Sequence, residues 1–573
     1  MLAGSMNVRR SFFPAALAGA LAVQASLHVW FAVSHSATFD EPSYIAAGMA
    51  LWTTGVDRQM FVHPPLAKRV AGFAALVAGA DPAGAGDDRM GAVVLYRTNA
   101  GRAGRLLLAA RLATMLAALA LTIAVASWAR EWWGDGAGAL AAWLLAVEPN
   151  TLAHGGLATT DIWLTLWLIL YARTLWSFLE GSGHRCPRET GGALAGLALG
   201  TKFSALAFIP AITVAMAAAV AARGRTVAPL KRLLRAAPRT LFVAALVLFA
   251  IYALQIRVFE PGYGRGGPGS WWPIGLTERP DLFLRLGLGW VARYARTGVP
   301  AFFLGAVREG RLPAYFPVVF ALKVPLGLIG LAVLAVGWRL SVRRFGIREL
   351  GLALAFLAIF ASVAASRLHV GLRHVHPAVV LAVLLAASLV GPGLPSPRWR
   401  RALALAGWLW SATTAGRCAP HFLASFNELA GGPGGGWRYL ADSNLDWGQD
   451  LPALARWCRD RGVTSLPLIY FGVADPGWYG VPVSAENPES RDWRGGLVAI
   501  SVSYLDGTLT NDLERFGWAR ALTPVARPGW SIHVYQAPPR PRPPRSTRAR
   551  AGTAPGSRPR ATAPPAPPPP PRR

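Results

Sequence analysis

The chain has 573 residues, 53% of them hydrophobic and 15% charged, with a formal net charge of +29. A soluble chain carries charge on about a quarter of its residues, so this composition excludes an ordinary soluble protein. The positive excess lies in short loops between apolar runs and in a Pro/Arg-rich tail, the pattern of membrane orientation signals and not of nucleic-acid binding.

In chain order, Met1–Arg10 is basic and reads as cytoplasmic, and the run 11–34 reads as an uncleaved first span. An outer loop to about Arg105 follows, within which residues 42–54 have helical character. The run 106–127 returns, and 136–150 with 161–179 make a hairpin whose outer turn is Asn150–Asp161. Residues 191–222 are apolar except for Lys202 yet have basic flanks on both sides. They therefore read as a helical hairpin turning near Gly200–Lys202. The run 240–258 exits to an outer loop, 259–314, whose Trp residues at 271–290 suggest an interfacial belt on an amphipathic helix. Runs at 316–338, 350–366, 376–391 and 402–417 complete eleven crossings.

From 418 the character changes. A helix at 450–461 and strands at 467–472 and 497–502 predict a small soluble α/β domain outside the membrane. The division is 1–417 membrane, 418–537 extracytoplasmic, and 538–573 a disordered tail with no residues for a core. The fold class is an all-α polytopic bundle with that added domain. Only four of the basic residues are lysines (Lys68, Lys202, Lys231, Lys323), a bias of GC-rich genomes that points to a bacterial cytoplasmic membrane. Cys186, Cys418 and Cys458 have no metal spacing, and a pairing of Cys418 with Cys458 stays open.

The first outer loop carries TFDEPSYIAAGMALWTTGVDRQMFVHPPLAKR. Asp40 and Glu41 stand just past a membrane exit. Acids before Pro42 suit a helix start, and one of them alone would serve as a cap. Both together at a membrane boundary also suit general-base chemistry. Lys202 interrupts an apolar run, where a charge is costly unless it is used, although snorkelling from a hairpin turn would also place it there. Arg373-His374-Val375-His376 reads as a phosphate or lipid-head contact, because two histidines two apart at a helix entry do not share a face for metal. Asp442-Ser-Asn-Leu-Asp446 opens like a calcium loop, but its glycine falls one place late and Ala453 stands where a glutamate is needed.

TFDE followed by VHPPLAK resembles the protein O-mannosyltransferase family, GT-C-class enzymes that use polyprenyl-phosphate sugars. GLALGTKFSAL, YFPVVFALKVPLGL and FNELAGGPGGGWRYLADSNLDWGQDL extend the likeness, the last toward a bacterial subgroup. The resemblance implies a GT-C-type bundle and inverting sugar transfer from a polyprenyl-phosphate donor to a hydroxyl at the outer membrane face. It implies Asp40 as catalytic base and Glu41 as its helper. It places His63 and Lys68 at the donor phosphate, and Asp161 in the same cavity. Lys202 and Arg373 are added as phosphate contacts, and Tyr44 and Arg367 as cavity residues, because they fall at outer helix ends. Partners are then the lipid-linked donor, membrane lipids and a protein, glycolipid or polymer acceptor. No metal ligand is assigned, and dependence on a divalent metal stays open. The rival reading is a transporter or flippase of lipid-linked sugars, for which internal repeats and mid-membrane charges are the expected signs.

Overall fold

A computed structural model describes residues 12–55, 62–85, 91–181, 187–224, 226–256, 274–276, 280–392, 397–486, 496–510 and 512–537. Helices occupy every segment read as a crossing. They are α1 (Phe13–Ser34), α4 (Ala103–Trp133), α5 (Asp135–Ala146), α7 (Asp161–Glu180), α8 (Pro187–Leu199), α9 (Ala205–Gly224), α10 (Ala228–Ala253), the pair α12 (Tyr315–Lys323) and α13 (Leu326–Ser341), α14 (Ile347–Val363), α15 (His376–Ala387) and α16 (Pro397–Cys418). Among the described residues six helices are long and apolar enough to cross a membrane, and the α12–α13 pair counted as one makes seven. The protein is thus a mostly helical, multi-pass membrane protein. The 191–222 hairpin is present as α8 and α9, with Lys202 in the turn between them.

The run 316–338, expected as one straight span, is two helices meeting at 109°. Two causes coincide. Pro325 disfavours the helical region for Val324, which is extended at ψ 135°. Asn427 also donates its side-chain amide to the Ala321 and Val324 carbonyls, so the freed acceptors are satisfied from another part of the chain.

The segment between α1 and α4 holds two helices, α2 (Glu41–Thr53) and α3 (Pro65–Val77). They cross at glycine. A Cβ on Gly48 would fall 1.9 Å from the Lys68 carbonyl oxygen, and one on Gly72 2.1 Å from the Gly48 carbonyl carbon. Only hydrogen at both positions lets these backbones approach. Between α5 and α7 lies the short α6 (Pro149–Gly155), capped by Glu148, which accepts from the Asn150 and Thr151 amides. The segment between α10 and α12 carries α11 (Pro280–Thr297), where Trp290 stacks on Tyr294 at 3.8 Å. Trp271 and Trp272 lie outside the described residues.

In the C-terminal part, α17 (Leu451–Asp460) matches the expected helix. The expected strands are present as Leu468–Ile469 and Gly496–Ser501. A third, Ile532–Ala537, pairs antiparallel with the second, while the first two run parallel. This part does not stand apart: Leu451, Leu454 and Ile532 share an apolar cluster with Ile45, Met49, Ala71 and Leu106. Cys418 and Cys458 are free and buried, which settles the open pairing. Cys418 ends α16 in a cluster with Phe31 and Phe422, whereas Cys458 packs with α17. Cys186 and the tail 538–573 lie outside the described residues.

Candidate active site

The geometry begins where the chain leaves α1. Residues 36–39 run beside residues 447–449. Ser36 N donates to Gln449 O at 2.9 Å and Phe39 N to Trp447 O at 2.9 Å. Ser36 Oγ donates to Gly448 O at 2.9 Å, and Leu451 N to Ser36 Oγ at 3.3 Å. This rail fixes the start of α2 and hence Asp40, its N-cap residue.

Glu41 turns away from Asp40. It is fully buried, and its two oxygens take Arg111 Nε at 2.9 Å and Nη2 at 2.7 Å in a bidentate pair. It also accepts from the Thr38 and Ala158 amides at 2.8 Å each. Burial alone would raise this carboxyl, but the Arg111 charge and these hydrogen bonds hold it below its ordinary range. Arg111 spends its remaining donors on the Ala32, His35 and Ser36 carbonyls. Glu41 is thus the knot that ties α1, α2, α4 and the turn before α7 together.

Asp40 faces the other way. Its Oδ2 lies 3.3 Å from Arg373 Nη1, and the same Nη1 lies 4.0 Å from Asp161 Oδ2. Lys202 Nζ donates to Asp161 Oδ1 at 2.6 Å. The chain from Asp40 through Arg373 and Asp161 to Lys202 therefore joins four separate parts of the sequence. Asp40 keeps 16% of its side chain exposed and Arg373 keeps 12%, so a narrow opening reaches this pair and not the Lys202–Asp161 pair behind it, at 4% and 0%. Burial pushes the Asp40 carboxyl above its ordinary value; Arg373 opposes that shift, and Asp442 and Asp161 add to it.

The other residues expected here divide between this site and its surroundings. Tyr44, buried on α2, has its ring 5.7 Å from that of His63. Burial and the Asp40 charge raise its phenol well above the ordinary range, so it is a donor at any physiological pH. His63 is held well below its ordinary value by burial and by the charges of Lys202, Lys68 and Arg373, and so is neutral. Lys68 is buried on α3 and donates to the His63 carbonyl at 2.7 Å. Arg367 is not brought in: its guanidinium donates to Arg296 O at 2.6 Å on an exposed stretch. His376 sits between the Thr151 and Thr165 hydroxyls as a packing residue, not a phosphate contact. A separate cavity of about 550 Å3, walled by Tyr171, Leu175, Pro210, Val214, Leu234 and their neighbours, is apolar and lies between α7 and α10.

Two partners of this site were not assigned to it from the sequence. Trp447 lies flat under Arg373, with the guanidinium carbon 4.0 Å from the ring centre. Asp442 bears on both Arg373 and Asp40. The DSNLDWGQD string carries both, and its length was the signal available. Three polar atoms here have no hydrogen-bond partner among the described residues: Asp161 Oδ2, Arg373 Nε and His374 Nε2. Buried polar groups are ordinarily satisfied, so orphans grouped around one opening mark a place where a polar ligand is accommodated.

Paired cations beside an acid, in a multi-pass helical protein, make a site suited to an anionic, phosphate-bearing substrate. Residues 55–261 match the family of dolichyl-phosphate-mannose-protein mannosyltransferases. Among solved structures, the chain is similar to ArnT from Cupriavidus metallidurans bound to undecaprenyl phosphate, at 15% identity over 91% of this chain and 97% of that one, with a TM-score of 0.47. It is likewise similar to the Archaeoglobus fulgidus oligosaccharyltransferase in its apo form, at 14% identity over 88% and 72%, with a TM-score of 0.49. No curated protein matches the chain in sequence.

Proposed function

We propose that this chain transfers a sugar from a polyprenyl-phosphate donor to a hydroxyl acceptor at the outer face of a bacterial cytoplasmic membrane, with inversion at the anomeric carbon. The single observation that carries the reading is Arg373, set between Asp40 at 3.3 Å and Asp161 at 4.0 Å, with Lys202 on the far side of Asp161. Asp40 takes the acceptor's proton as its oxygen bonds to the anomeric carbon. The bond from that carbon to the phosphate oxygen breaks, and the phosphate leaves with the electron pair. Arg373 and Lys202, with His63 and Lys68 beside them, stabilise that departing charge. Asp161 and Tyr44 wall the site, and Glu41 positions Asp40.

The salt bridge gives the step an order. While Arg373 pairs with Asp40, the carboxylate is a weak base. A donor phosphate that engages Arg373 weakens that pairing and makes Asp40 more basic when its substrate is in place. The matched family is one of transferases, which favours transfer over transport. Its name specifies a protein acceptor and a mannosyl lipid phosphate, so serine and threonine hydroxyls are the first acceptors to try. In this reading the N-terminus is cytoplasmic and residues 418–537 form an extracytoplasmic part.

The test is transfer of radiolabel from polyprenyl-phosphate mannose to serine/threonine peptides, glycolipids or wall polymer in proteoliposomes. Asp40→Asn is expected to lower turnover about 10²- to 10⁴-fold, the usual worth of a general base, with an unchanged melting midpoint. Label that crosses the bilayer without joining an acceptor would establish the transporter instead.

A further inference from the structure

At the other end of the 36–39 rail, three side chains meet that the transfer reading does not use. His35 Nε2 lies 2.9 Å from His421 Nδ1 and 3.5 Å from Asp450 Oδ1, and His421 Nδ1 lies 2.8 Å from Asp450 Oδ1. His35 is the residue after α1, His421 follows α16, and Asp450 precedes α17. Among the described residues this is the single group of histidine, cysteine and acid atoms close enough to share an ion.

The protons are too few for a hydrogen-bonded triad. His35 Nδ1 is 2.7 Å from the Phe31 carbonyl, which can only accept, so Nδ1 carries the hydrogen and, in the neutral ring, Nε2 presents a lone pair. His421 Nδ1 therefore faces two acceptors, His35 Nε2 and Asp450 Oδ1, and one N–H serves only one of them. A cation serves all three. Donors about 2.1 Å from one ion, at 90° to 109° to one another, stand roughly 3.0–3.4 Å apart, and the observed separations of 2.8, 2.9 and 3.5 Å bracket that span.

The supporting contacts are also those of a ligand set. The Phe31 carbonyl orients His35, and Asp450 Oδ2 takes Ser531 Oγ at 2.7 Å and Gln449 Nε2 at 3.1 Å, which leaves Oδ1 for the ion. The side chains of His35 and Asp450 are wholly buried, while His421 keeps 14% exposed and marks the side from which water completes the coordination. We propose that His35, His421 and Asp450 bind one divalent transition metal of the zinc class, and that this ion clips the C-terminal segment to the membrane exit that carries Asp40. Two imidazoles and one carboxylate suit such an ion and not calcium or magnesium, which take oxygen ligands.

The experiment uses the full chain in detergent, with its affinity tag removed, stripped with chelator and then equilibrated with Zn2+ or Co2+. Elemental analysis after gel filtration is expected to find about one ion per chain in the wild type and less than about a tenth of that in His421→Ala. The Co2+ form is expected to show ligand-field bands distinct from the aquo ion, and His421→Cys to keep the metal and add a thiolate charge-transfer band. Zn2+ is expected to raise the melting midpoint of the wild type and not of His421→Ala. A wild type holding no more metal than His421→Ala, or a Co2+ spectrum identical to the aquo ion, overturns the site. The second readout stands even where a variant fails to fold.

Discussion

Asp40 and Glu41 are neighbours in sequence with opposite environments, and that contrast sets two expectations. In the proposed transfer Asp40 serves as base only when ionised, and burial lifts its carboxyl above the ordinary carboxylate value. Transfer is therefore expected to fall as pH drops through a limb displaced upward from that value, read in kcat/KM against pH. A limb at or below the ordinary carboxylate range would remove Asp40 from the base role. Glu41 is shifted the other way, held low by Arg111. The stability it contributes is present above its unfolded value and lost as pH falls through its lower folded value. Removing one partner of a fully buried pair costs about 3–5 kcal/mol, because the other charge stays buried. Glu41→Ala is therefore expected to lower the melting midpoint sharply in detergent, while Glu41→Ala with Arg111→Met recovers part of it. Equal melting of Glu41→Ala and wild type would show the pair to be dispensable. The sequence made the DE pair visible but not this division of labour, since the decisive partners lie 70 residues away for Glu41 and 333 for Asp40.

Among elements, the α2–α3 crossing places His63 and Lys68 opposite Tyr44. It depends on Gly48 and Gly72, where a Cβ would meet backbone and not a movable side chain. Gly48→Val is expected to part the helices and reduce transfer strongly while leaving the α7–α10 region intact, as read by activity and by protection from proteolysis in the 41–77 region. Full activity in that variant would mean that His63 and Lys68 do not need this crossing. The hairpin around Lys202 was legible because basic flanks on both sides of one apolar run admit only an even number of crossings. The 109° break at Val324–Pro325 was not legible, although its proline was in view. A proline inside an apolar run is compatible with a kinked span, and the second cause of this break, Asn427, stands more than 100 residues on.

On the scale of the molecule, the proposed orientation rests on charge asymmetry in the loops. In a background without native cysteines, Gly477→Cys is expected to react with a membrane-impermeant maleimide applied to whole cells, and Arg344→Cys to react only after lysis. Labelling in the reverse order would invert the topology. Both positions are exposed in the structure. The apolar runs made the bundle readable from the sequence, as did the helix and two of the strands beyond residue 418. The joining of that C-terminal part to α2 and α4 was not readable, because a shared apolar cluster leaves no period in either partner's sequence.

The rail between residues 36–39 and 447–449 also has a consequence in time. Ser36 waits for a partner 412 residues further along the chain. A ribosome therefore adds 412 residues after Ser36 before the segment carrying Asp40 gains the strip it rests on. A nascent chain already threaded into the bilayer at its first span accordingly keeps the proposed site unfinished until its last crossing has been made. Stalled or truncated products ending before residue 447 lack the strip against which Ser36 and Phe39 are held.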